Sequence, residues 1–404
     1  MSNLNNQANK AKEKKAGLGP DINIDDFIDE TSELPYENVL EDIDKESARQ
    51  MKNAGIDLNT KERSGTFIQK DHSIIHCNIS QPGVELMDIN QALDKYDWLS
   101  DYLWKIVPVD KDKYTSHTQL KGSHGYFIRT MPGVKAIFPL QACLYLAHDN
   151  LVQSVHNIII AEENSEMHII TGCAVGHDLT NALHIGVSEF YIKKGARVTF
   201  TMIHNWAENV AVRPRSGTIV EEGGVFISNY ICMKPVKTLQ MYPTTLLEGN
   251  NSVARYNSIL VSTPESNIDV GAEVTLRGKG SRAEIVSRAI STGGKLIARG
   301  RLIGEISEAK AHLECRGLIL SREGNIIAIP ELEGKVRGVE LSHEAAVGKI
   351  AQEEIEYLMA RGLNEDEATA VIVRGFLNVD IKGLPEELKV EIDKVIHESE
   401  KDIL

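Results

Sequence analysis

The central part of the chain alternates short apolar runs with polar turns, a pattern typical of chains that form many β-strands. Between about residues 123 and 340, such runs recur at short intervals and are separated by Gly, Asn, Asp or Glu. Val, Ile and Thr dominate the runs, which favours strand over helix. The clearest runs are Val134–Leu140, Val155–Ala161, Met167–Thr171, Val187–Ile192, Val198–Ile203, Val225–Ile231, Ile285–Ile290 and Leu296–Ile303. The pattern predicts an all-β region, and a sandwich, a barrel or a β-solenoid would each fit it.

The N-terminal side of this region has a mixed character. The segment 1–20 is polar and dotted with Lys, which predicts a disordered tail. A strongly acidic stretch follows it. Glu46–Gly55 and Gln91–Val107 then show the apolar spacing of helices.

After His343 the apolar positions recur with helical spacing. A second helix begins after Asn364, with Glu367 at the capping-box position, and ends at Gly375. A third helix has Pro385 as its first residue. The predicted division is a disordered tail (1–20), a mixed N-terminal region (21–122), a β core (123–342) and a C-terminal helical domain (343–404).

Composition and charge narrow the possible functions. The chain is 42% hydrophobic but only 5% aromatic, which predicts a core of aliphatic side chains. A formal net charge of −14 argues against a nucleic-acid surface, because phosphate binding needs clustered Lys and Arg. No run approaches the roughly 18 apolar residues of a membrane span. The N-terminal segment lacks the apolar core of a signal peptide, so we expect a cytoplasmic protein.

The five cysteines are far apart and form no CxxC pair, which excludes a zinc ribbon or a thioredoxin-like motif. Cys315 stands near the end of a predicted strand, and His343 and Glu344 follow where the β core gives way to helices. Thiolate, imidazole and carboxylate together can ligate iron. The pattern alone favours simpler roles, a core position for Cys315 and a helix cap for the His-Glu pair.

Signatures of nucleotide hydrolysis and of other common active sites are incomplete. The segment Gly293–Leu296 resembles the end of a phosphate-binding loop, but Leu296 stands where Ser or Thr should follow the Lys. The segment His343–Val347 lacks the second His of a zinc-protease helix. We therefore expect no ATPase activity from this chain alone.

An ordered set of segments resembles the SufB/SufD family of iron–sulfur cluster assembly proteins. The resemblance covers roughly residues 102–387, and no single motif carries it alone. The segments are Glu166–Ala174, Leu183–His184, Lys193–Val198, Ile203–Trp206, Ile329–Glu333, Ser342–Ala345, Tyr357–Leu363 and Ile372–Phe376.

The resemblance implies a mainly β fold, a right-handed parallel β-helix with helical regions at both ends. It implies a cytosolic scaffold for a transient iron–sulfur cluster and not an enzyme in its own right. The implied partners are a SufC-type ATPase, a second copy or a SufB/SufD paralogue in a β-helix dimer, and a sulfur donor such as a cysteine desulfurase. The family's complex has been associated with a flavin, but no residue pattern here supports one.

Several site residues follow from the same resemblance. Cys173 resembles the cysteine that accepts persulfide sulfur. Cys315 and Glu344 resemble proposed cluster ligands of SufB, and His343 resembles the position where SufD supplies a histidine. The ATPase would dock on the C-terminal helices, at positions that include Arg361, Gly362, Arg374, Gly375 and Phe376.

Two alternative functions remain open at this point. The first is a SufD-like structural subunit that needs a separate SufB partner; the presence of both Cys315 and Glu344 argues against it. The second is a β-helix enzyme acting on polysaccharides, which the scarcity of aromatic residues and the missing secretion signal disfavour. The N-terminal cysteine motif of some family members is missing, and Cys77, Cys143 and Cys232 are interpreted as structural.

Overall fold

Two long parallel sheets face each other and form a β-solenoid of about eight turns. This computed structural model describes residues 2–59, 61–122 and 124–377. The helices are α1 (Ser2–Lys10), α2 (Lys45–Asn53), α3 (Ile89–Lys95), α4 (Lys113–Lys121), α5 (Gln352–Met359) and α6 (Glu365–Leu377), with 3-10 turns at Ile24–Asp26, Leu40–Asp42 and Asp97–Asp101.

The strands fill most of the chain between the N-terminal and C-terminal helices. In chain order they are β1 (Gly65–Lys70), β2 (Ser73–Ile79), β3 (Val84–Asp88), β4 (Tyr126–Thr130), β5 (Leu140–Leu146), β6 (Leu151–Ala161), β7 (Glu166–Val175), β8 (Ala182–Ile192), β9 (Arg197–Asn205), β10 (Val210–Val212), β11 (Arg215–Val220), β12 (Val225–Cys232), β13 (Thr238–Met241), β14 (Thr244–Leu247), β15 (Val253–Ser262), β16 (Asn267–Leu276), β17 (Arg282–Ser291), β18 (Lys295–Gly304), β19 (Lys310–Ile319), β20 (Asn325–Gly334) and β21 (Glu340–Gly348).

The first sheet has the order β2-β1-β5-β7-β9-β12-β15-β17-β19-β21, and only the β1–β2 pair is antiparallel. The second sheet runs from the antiparallel pair β3–β4 through β6, β8, β11, β14, β16 and β18 to β20, with β10 and β13 beside it. In the last coils, Val253 pairs with Arg282, Arg282 with Lys310, and Lys310 with Glu340. The chain therefore returns to an equivalent position after a nearly constant length in each of these coils.

The turns between coils stack in the same way as the strands. Asn164, Gly195, Gly223 and Asn251 occupy equivalent turn positions with φ of 57°, 67°, 65° and 56°. The N–H of each donates to a carbonyl in the next turn, as Asn164 does to Lys194 at 2.9 Å. Gly and Asn tolerate positive φ, which explains the Gly- and Asn-rich breaks between the apolar runs.

Side chains alternate between the interior and the outer faces of the solenoid. The interior holds one continuous core with contributions from both sheets. Met51 and Ile56, in and after α2, cover the outer face of the first sheet near β5 and β7. Val373 and Leu377 of α6 cover the same face farther along the sheet. The segment that contains α3 packs on the outer face of the second sheet.

The predicted fold class, mainly β with helices at both ends, is confirmed, and so are most of the predicted strands. Val134–Leu140 is an exception, because β5 begins only at Leu140 and Ile137 is 77% exposed in the loop before it. The predicted helix Gln91–Val107 is shorter than expected. It stops at Lys95, and a 3-10 turn and an irregular segment follow.

The N-terminal tail also differs from the prediction of disorder over residues 1–20. Ser2–Lys10 forms α1, and its Ala8 is buried in a cluster with Trp104 and Val107. The hydroxyl of Ser116 on α4 donates to the Ala8 carbonyl at 2.6 Å. These tertiary contacts hold the tail in a helix, which its polar sequence does not predict.

The β core extends past both predicted limits. It includes β1, which pairs in parallel with β5, and it runs on through β21 to Gly348. His343 therefore lies in a strand and not at the start of a helix. The predicted capping box at Asn364 and Glu367 is confirmed by two hydrogen bonds of 2.8 Å. α6 continues past Gly375 to Leu377, which is buried.

The predicted third helix from Pro385 lies outside the described residues. Among the helices that the structure describes, none is long and apolar enough to cross a membrane.

Candidate functional site

Three of the five cysteines are fully buried inside the solenoid, and Cys77 packs against the same core from its edge. Cys173 on β7, Cys232 on β12 and Cys315 on β19 all belong to the interior core and to the first sheet. Cys143 lies on the outer face of the same sheet, under α2. Cys77 lies on the antiparallel edge strand β2 and is half-buried.

Cys173, His204 and Cys232 occupy the same register position on three consecutive parallel strands. Cys173 pairs with His204, and His204 pairs with Cys232. Neighbouring strands lie about 4.8 Å apart, and paired residues in parallel strands point to the same face. The imidazole therefore stands between two buried thiols, whose Cα atoms are about 10 Å apart.

Tyr230 links this column by hydrogen bonds. Its hydroxyl lies 2.7 Å from Nδ1 of His204. Burial raises the pKa of the Cys232 thiol to about 12, although a hydrogen bond from Tyr230 acts to lower it. Two further buried atoms, Nε2 of His204 and Nε1 of Trp206, have no hydrogen-bond partner among the described residues.

The titratable groups of this column are held in their neutral forms. Burial lowers the pKa of His204 well below its ordinary value, and the nearby His184 lowers it further. Burial raises the pKa of Cys173 well above its ordinary value. Burial also raises the pKa of Tyr230, with smaller contributions from Cys232 and Cys173.

A second inward-facing column leads from Tyr230 to Cys315. Tyr230, Ser258, Ser287 and Cys315 follow one another in register on β12, β15, β17 and β19. The Ser258 hydroxyl donates to the Ser287 hydroxyl at 3.1 Å. A cavity of about 40 Å³ lies beside Tyr230 and the two serines, with room for a few water-sized molecules.

Cys315 ends this column near the open end of the solenoid. It is 2% exposed, and burial raises the pKa of its thiol to about 11. Glu314 raises that pKa further, whereas Arg288 lowers it.

His343 and Glu344 lie on β21, the last strand, next to the strand of Cys315. His343 pairs with the buried Leu313 and so points to the same face as Cys315, at a Cα separation of about 8 Å by strand geometry. Glu344 pairs with Glu314 on the opposite face, and its carboxylate lies 3.6 Å from Arg316. Within one protomer, the structure brings Cys315 and His343 to one face and places Glu344 on the other.

One protomer does not form a complete metal site in the part of the chain that the structure describes. Across residues 2–59, 61–122 and 124–377, no three His, Cys, Asp or Glu side chains converge closely enough to hold a metal ion. The last coil, β20 and β21, is largely exposed.

The residues predicted to dock a partner lie in two places on the C-terminal helices. Arg361 and Gly362 form the turn after α5, where the guanidinium of Arg361 lies 4.8 Å from the ring centre of Tyr357. Tyr357 is 57% exposed. Arg374 and Gly375 lie on the exposed side of α6, whereas Phe376 packs against the cluster beneath that helix.

The grouping of His204, Tyr230 and Cys232 beside Cys173 was not predicted from the sequence. A signal was present, because Cys173, His204 and Cys232 follow one another at intervals close to one coil of the solenoid. A search of the sequence at the period of the coil would have grouped the three side chains.

Comparison with known proteins gives a consistent result. The family described as "SUF system FeS cluster assembly, SufBD core domain" matches residues 144–376. An iron-sulfur cluster assembly SufBD family protein of Methanothermobacter thermautotrophicus (strain Delta H) is 51% identical over 401 residues, 98% of each chain. One of Archaeoglobus fulgidus is 51% identical over 362 residues, 90% of this chain and 96% of the relative. The iron-sulfur cluster assembly protein SufB of Bacillus subtilis is 31% identical over 382 residues, 91% and 80% of the two chains.

Proposed function

Because this chain belongs to the SufBD family of iron–sulfur cluster assembly proteins, we propose that it is a scaffold subunit on which a cluster is built. Sulfur is taken up at Cys173, and the cluster forms at the open end of the solenoid around Cys315. The cluster is the cargo of the protein and leaves it for other proteins. We expect the protein to act in the cytoplasm, where its cysteines stay reduced.

One observation carries this proposal: Cys173 and Cys315 face the same enclosed interior. Polar side chains lead from Cys173 to Cys315: His204 is the register neighbour of Cys173 and contacts Tyr230, and Tyr230 is followed in register by Ser258, Ser287 and Cys315. A polar column in a solenoid core is unusual, because buried polar groups are costly unless they serve each other or a ligand. The column supports a path by which sulfur moves between the two thiols without contact with solvent.

The open end of the solenoid supports a dimer that completes the cluster site. β21 is an edge strand within residues 2–377, and Val347 on it and Leu332 on β20 are exposed apolar side chains. A two-fold axis at this end would bring two copies of Cys315 and His343 together. Glu344 would contribute from the rim once its carboxylate leaves Arg316. The second subunit is another copy of this chain or a SufB/SufD paralogue.

A SufC-type ATPase would supply the energy for rearranging this contact. Gly293 and Gly294 lie in the turn that connects β17 of the first sheet with β18 of the second, and Lys295 is the first residue of β18. This is not the strand-to-helix loop that cradles a nucleotide phosphate. The exposed turn with Arg361 and Tyr357 is the proposed docking point for the ATPase. A cysteine desulfurase is the proposed sulfur donor.

The proposal is tested by anaerobic reconstitution of the full chain with iron and sulfide. Absorption and Mössbauer spectra should show a cluster in the unsubstituted protein and none in Cys315→Ser. Cys143→Ser is the matched control, since Cys143 is equally buried but lies on the outer face of the sheet. Circular dichroism should show the same fold in all three proteins.

Two results would contradict the proposal. A cluster of undiminished yield in Cys315→Ser would remove the proposed ligand. Failure of the unsubstituted chain to hold a cluster, together with cluster formation when a SufB subunit is added, would favour the alternative of a SufD-like structural subunit.

A further inference from the structure

Cys232 is the thiol buried inside the solenoid that the proposed function leaves unused. It faces the same interior as Cys173 and Cys315, and His204 separates it from Cys173 by register. Nε2 of His204 is buried and has no partner among the described residues. An unpaired polar atom between two thiols is a cost to folding, which a sulfur-bound ligand between them would offset.

We propose that Cys232 is a second sulfur carrier, which takes sulfur from Cys173 before it reaches Cys315. This inference rests on the proposed function, because it assigns an intermediate position within the same interior path. It differs from the interpretation of Cys232 as a structural residue.

The spacing of the strands favours an intermediate carrier. Cys173 and Cys315 are five strand spacings apart in the first sheet, about 24 Å. Cys232 divides this path, two spacings from Cys173 and three from Cys315. A persulfide lengthens the Cys173 side chain by one S–S bond, about 2 Å. His204 is the register neighbour of both thiols, so this lengthening shortens the gap that transfer to Cys232 has to cross.

The transfer is a thiol exchange in which no net oxidation occurs. The sulfur of Cys232 attacks the outer sulfur of the Cys173 persulfide, and a new S–S bond forms as the old one breaks. The electron pair of the broken bond stays on Cys173, which becomes a thiol again. The proton lost by Cys232 passes to Nε2 of His204 and then to Cys173. The outer sulfur keeps its oxidation state, so no electron donor is required.

The hydrogen bonds of the column suit this step. The Cys232 thiol donates a weak hydrogen bond to the Lys234 carbonyl at 4.0 Å. If Nδ1–H of His204 donates to the Tyr230 oxygen, the Tyr230 hydroxyl is free to donate to the Cys232 sulfur, and Nε2 of His204 is left as a proton acceptor. The hydrogen bond from Tyr230 stabilises the Cys232 thiolate that attacks. Burial keeps His204 neutral, so the lone pair of its Nε2 is open to the proton of Cys232. Because the same burial disfavours the imidazolium, the proton has to pass on to Cys173 in the same step. Tyr230 and His204 are thus positioning and proton-transfer residues.

The test follows sulfur through the full-length protein. The protein is incubated with a cysteine desulfurase and ³⁴S-labelled cysteine, quenched at intervals and mapped by mass spectrometry. In Cys315→Ser, label should accumulate on Cys232 as well as on Cys173. In Cys232→Ser, label should stay on Cys173, and labelling of Cys315 should fall to the level seen in Cys173→Ser. Cys143→Ser should label like the unsubstituted protein.

A second variant reports on the hydrogen bonds. Tyr230→Phe keeps the ring and removes the hydroxyl, so transfer from Cys173 to Cys232 should slow by about a hundredfold at neutral pH. Raising the pH should restore part of the rate, because a larger fraction of the Cys232 thiol is then ionised. A rate equal to that of the unsubstituted protein would contradict the role of Tyr230.

The outcomes separate this inference from the proposed function. Label that reaches Cys315 at an unchanged rate in Cys232→Ser, or that never appears on Cys232 in Cys315→Ser, overturns the role of Cys232 alone. An unlabelled Cys173 in the unsubstituted protein overturns the proposed function, and this inference with it.

Discussion

Gly172 lies on β7 where the segment after α2 crosses the outer face of the first sheet, and the contact leaves no room for a side chain. A Cβ at Gly172 would lie 2.5 Å from the carbonyl oxygen of Ala54 and 2.7 Å from Cγ1 of Ile56. The closest atom belongs to the backbone, so it cannot turn aside as the end of a long side chain can. Gly172→Ala should therefore force the α2 segment away from the sheet.

The free-energy cost of Gly172→Ala follows from placing a methyl group in a contact that is already filled. Such substitutions typically cost about 1–3 kcal/mol. In an open form of the protein, the α2 segment has lifted from the sheet. If lifting relieves the strain, the population of this form should rise about 5- to 150-fold, since about 1.4 kcal/mol changes an equilibrium constant tenfold. The free energy of unfolding should fall by about the same 1–3 kcal/mol if lifting does not relieve the strain.

Alkylation of Cys143 measures this opening directly. Cys143 packs under α2 in one cluster with Ala54 and Ile56, and its burial raises the pKa of the thiol. It should react with iodoacetamide chiefly when the segment lifts, so Gly172→Ala should speed its alkylation. Cys173 faces the interior and should react no faster.

Gly176→Ala is the matched control, because a Cβ there would meet its nearest neighbour at 3.7 Å, an ordinary contact. Both substitutions also lower the entropy of the unfolded chain, so comparing them removes that contribution. Equal alkylation rates and equal unfolding free energies in Gly172→Ala and Gly176→Ala would refute the argument.

Three further predictions concern the open end and the C-terminal helices. His343→Ala should reduce the cluster yield in reconstitution more than Glu344→Ala does, because only His343 shares a face with Cys315; the reverse order, measured by iron and sulfide content, would contradict this geometry. Iron affinity should rise at least about tenfold per pH unit between about pH 6.5 and pH 8.5, because the thiol of Cys315, with its pKa raised to about 11, must lose a proton to bind iron. An iron affinity that calorimetry finds to be the same at each pH would exclude that thiol as a ligand. Arg361→Glu should weaken pull-down of the purified SufC-type ATPase, and unchanged binding after deletion of residues 349–377 would exclude the docking surface.

The strands were predictable from the sequence, but their arrangement was not. β-Branched runs between Gly- and Asn-rich turns indicated the strand positions. The solenoid left no visible repeat, because each register column accepts different side chains. One interior column holds Leu144, Cys173, His204, Cys232 and Leu260 on successive strands. The coils have nearly constant length, but equivalent positions share only their burial and the direction of their side chains. Their residue types differ, so the repeat is not visible in the sequence.

The end of the solenoid was mispredicted for a different physical reason. The sequence around His343, Glu344 and Ala345 favours a helix by local propensity. Pairing with β19 keeps it extended instead, in register from Glu340 to Gly348. Strand pairing outweighed the local preference for a helix. Consecutive residues of a strand point to opposite faces, so His343 and Glu344 are separated, whereas the first turn of a helix would not place them on opposite sides.

Burial of the three inward cysteines has a consequence for the order of events on the proposed path. Burial raises the pKa of Cys173, Cys232 and Cys315 alike, so each stays a thiol at neutral pH until a neighbour or iron stabilises the thiolate. A buried thiol is also shielded from oxidants that attack exposed thiolates. Sulfur would thus travel on protected carriers, and iron would meet it only at the last coil, where His343 is exposed. The same burial that makes these cysteines resemble ordinary core residues in the sequence is then the property that suits them to carry sulfur.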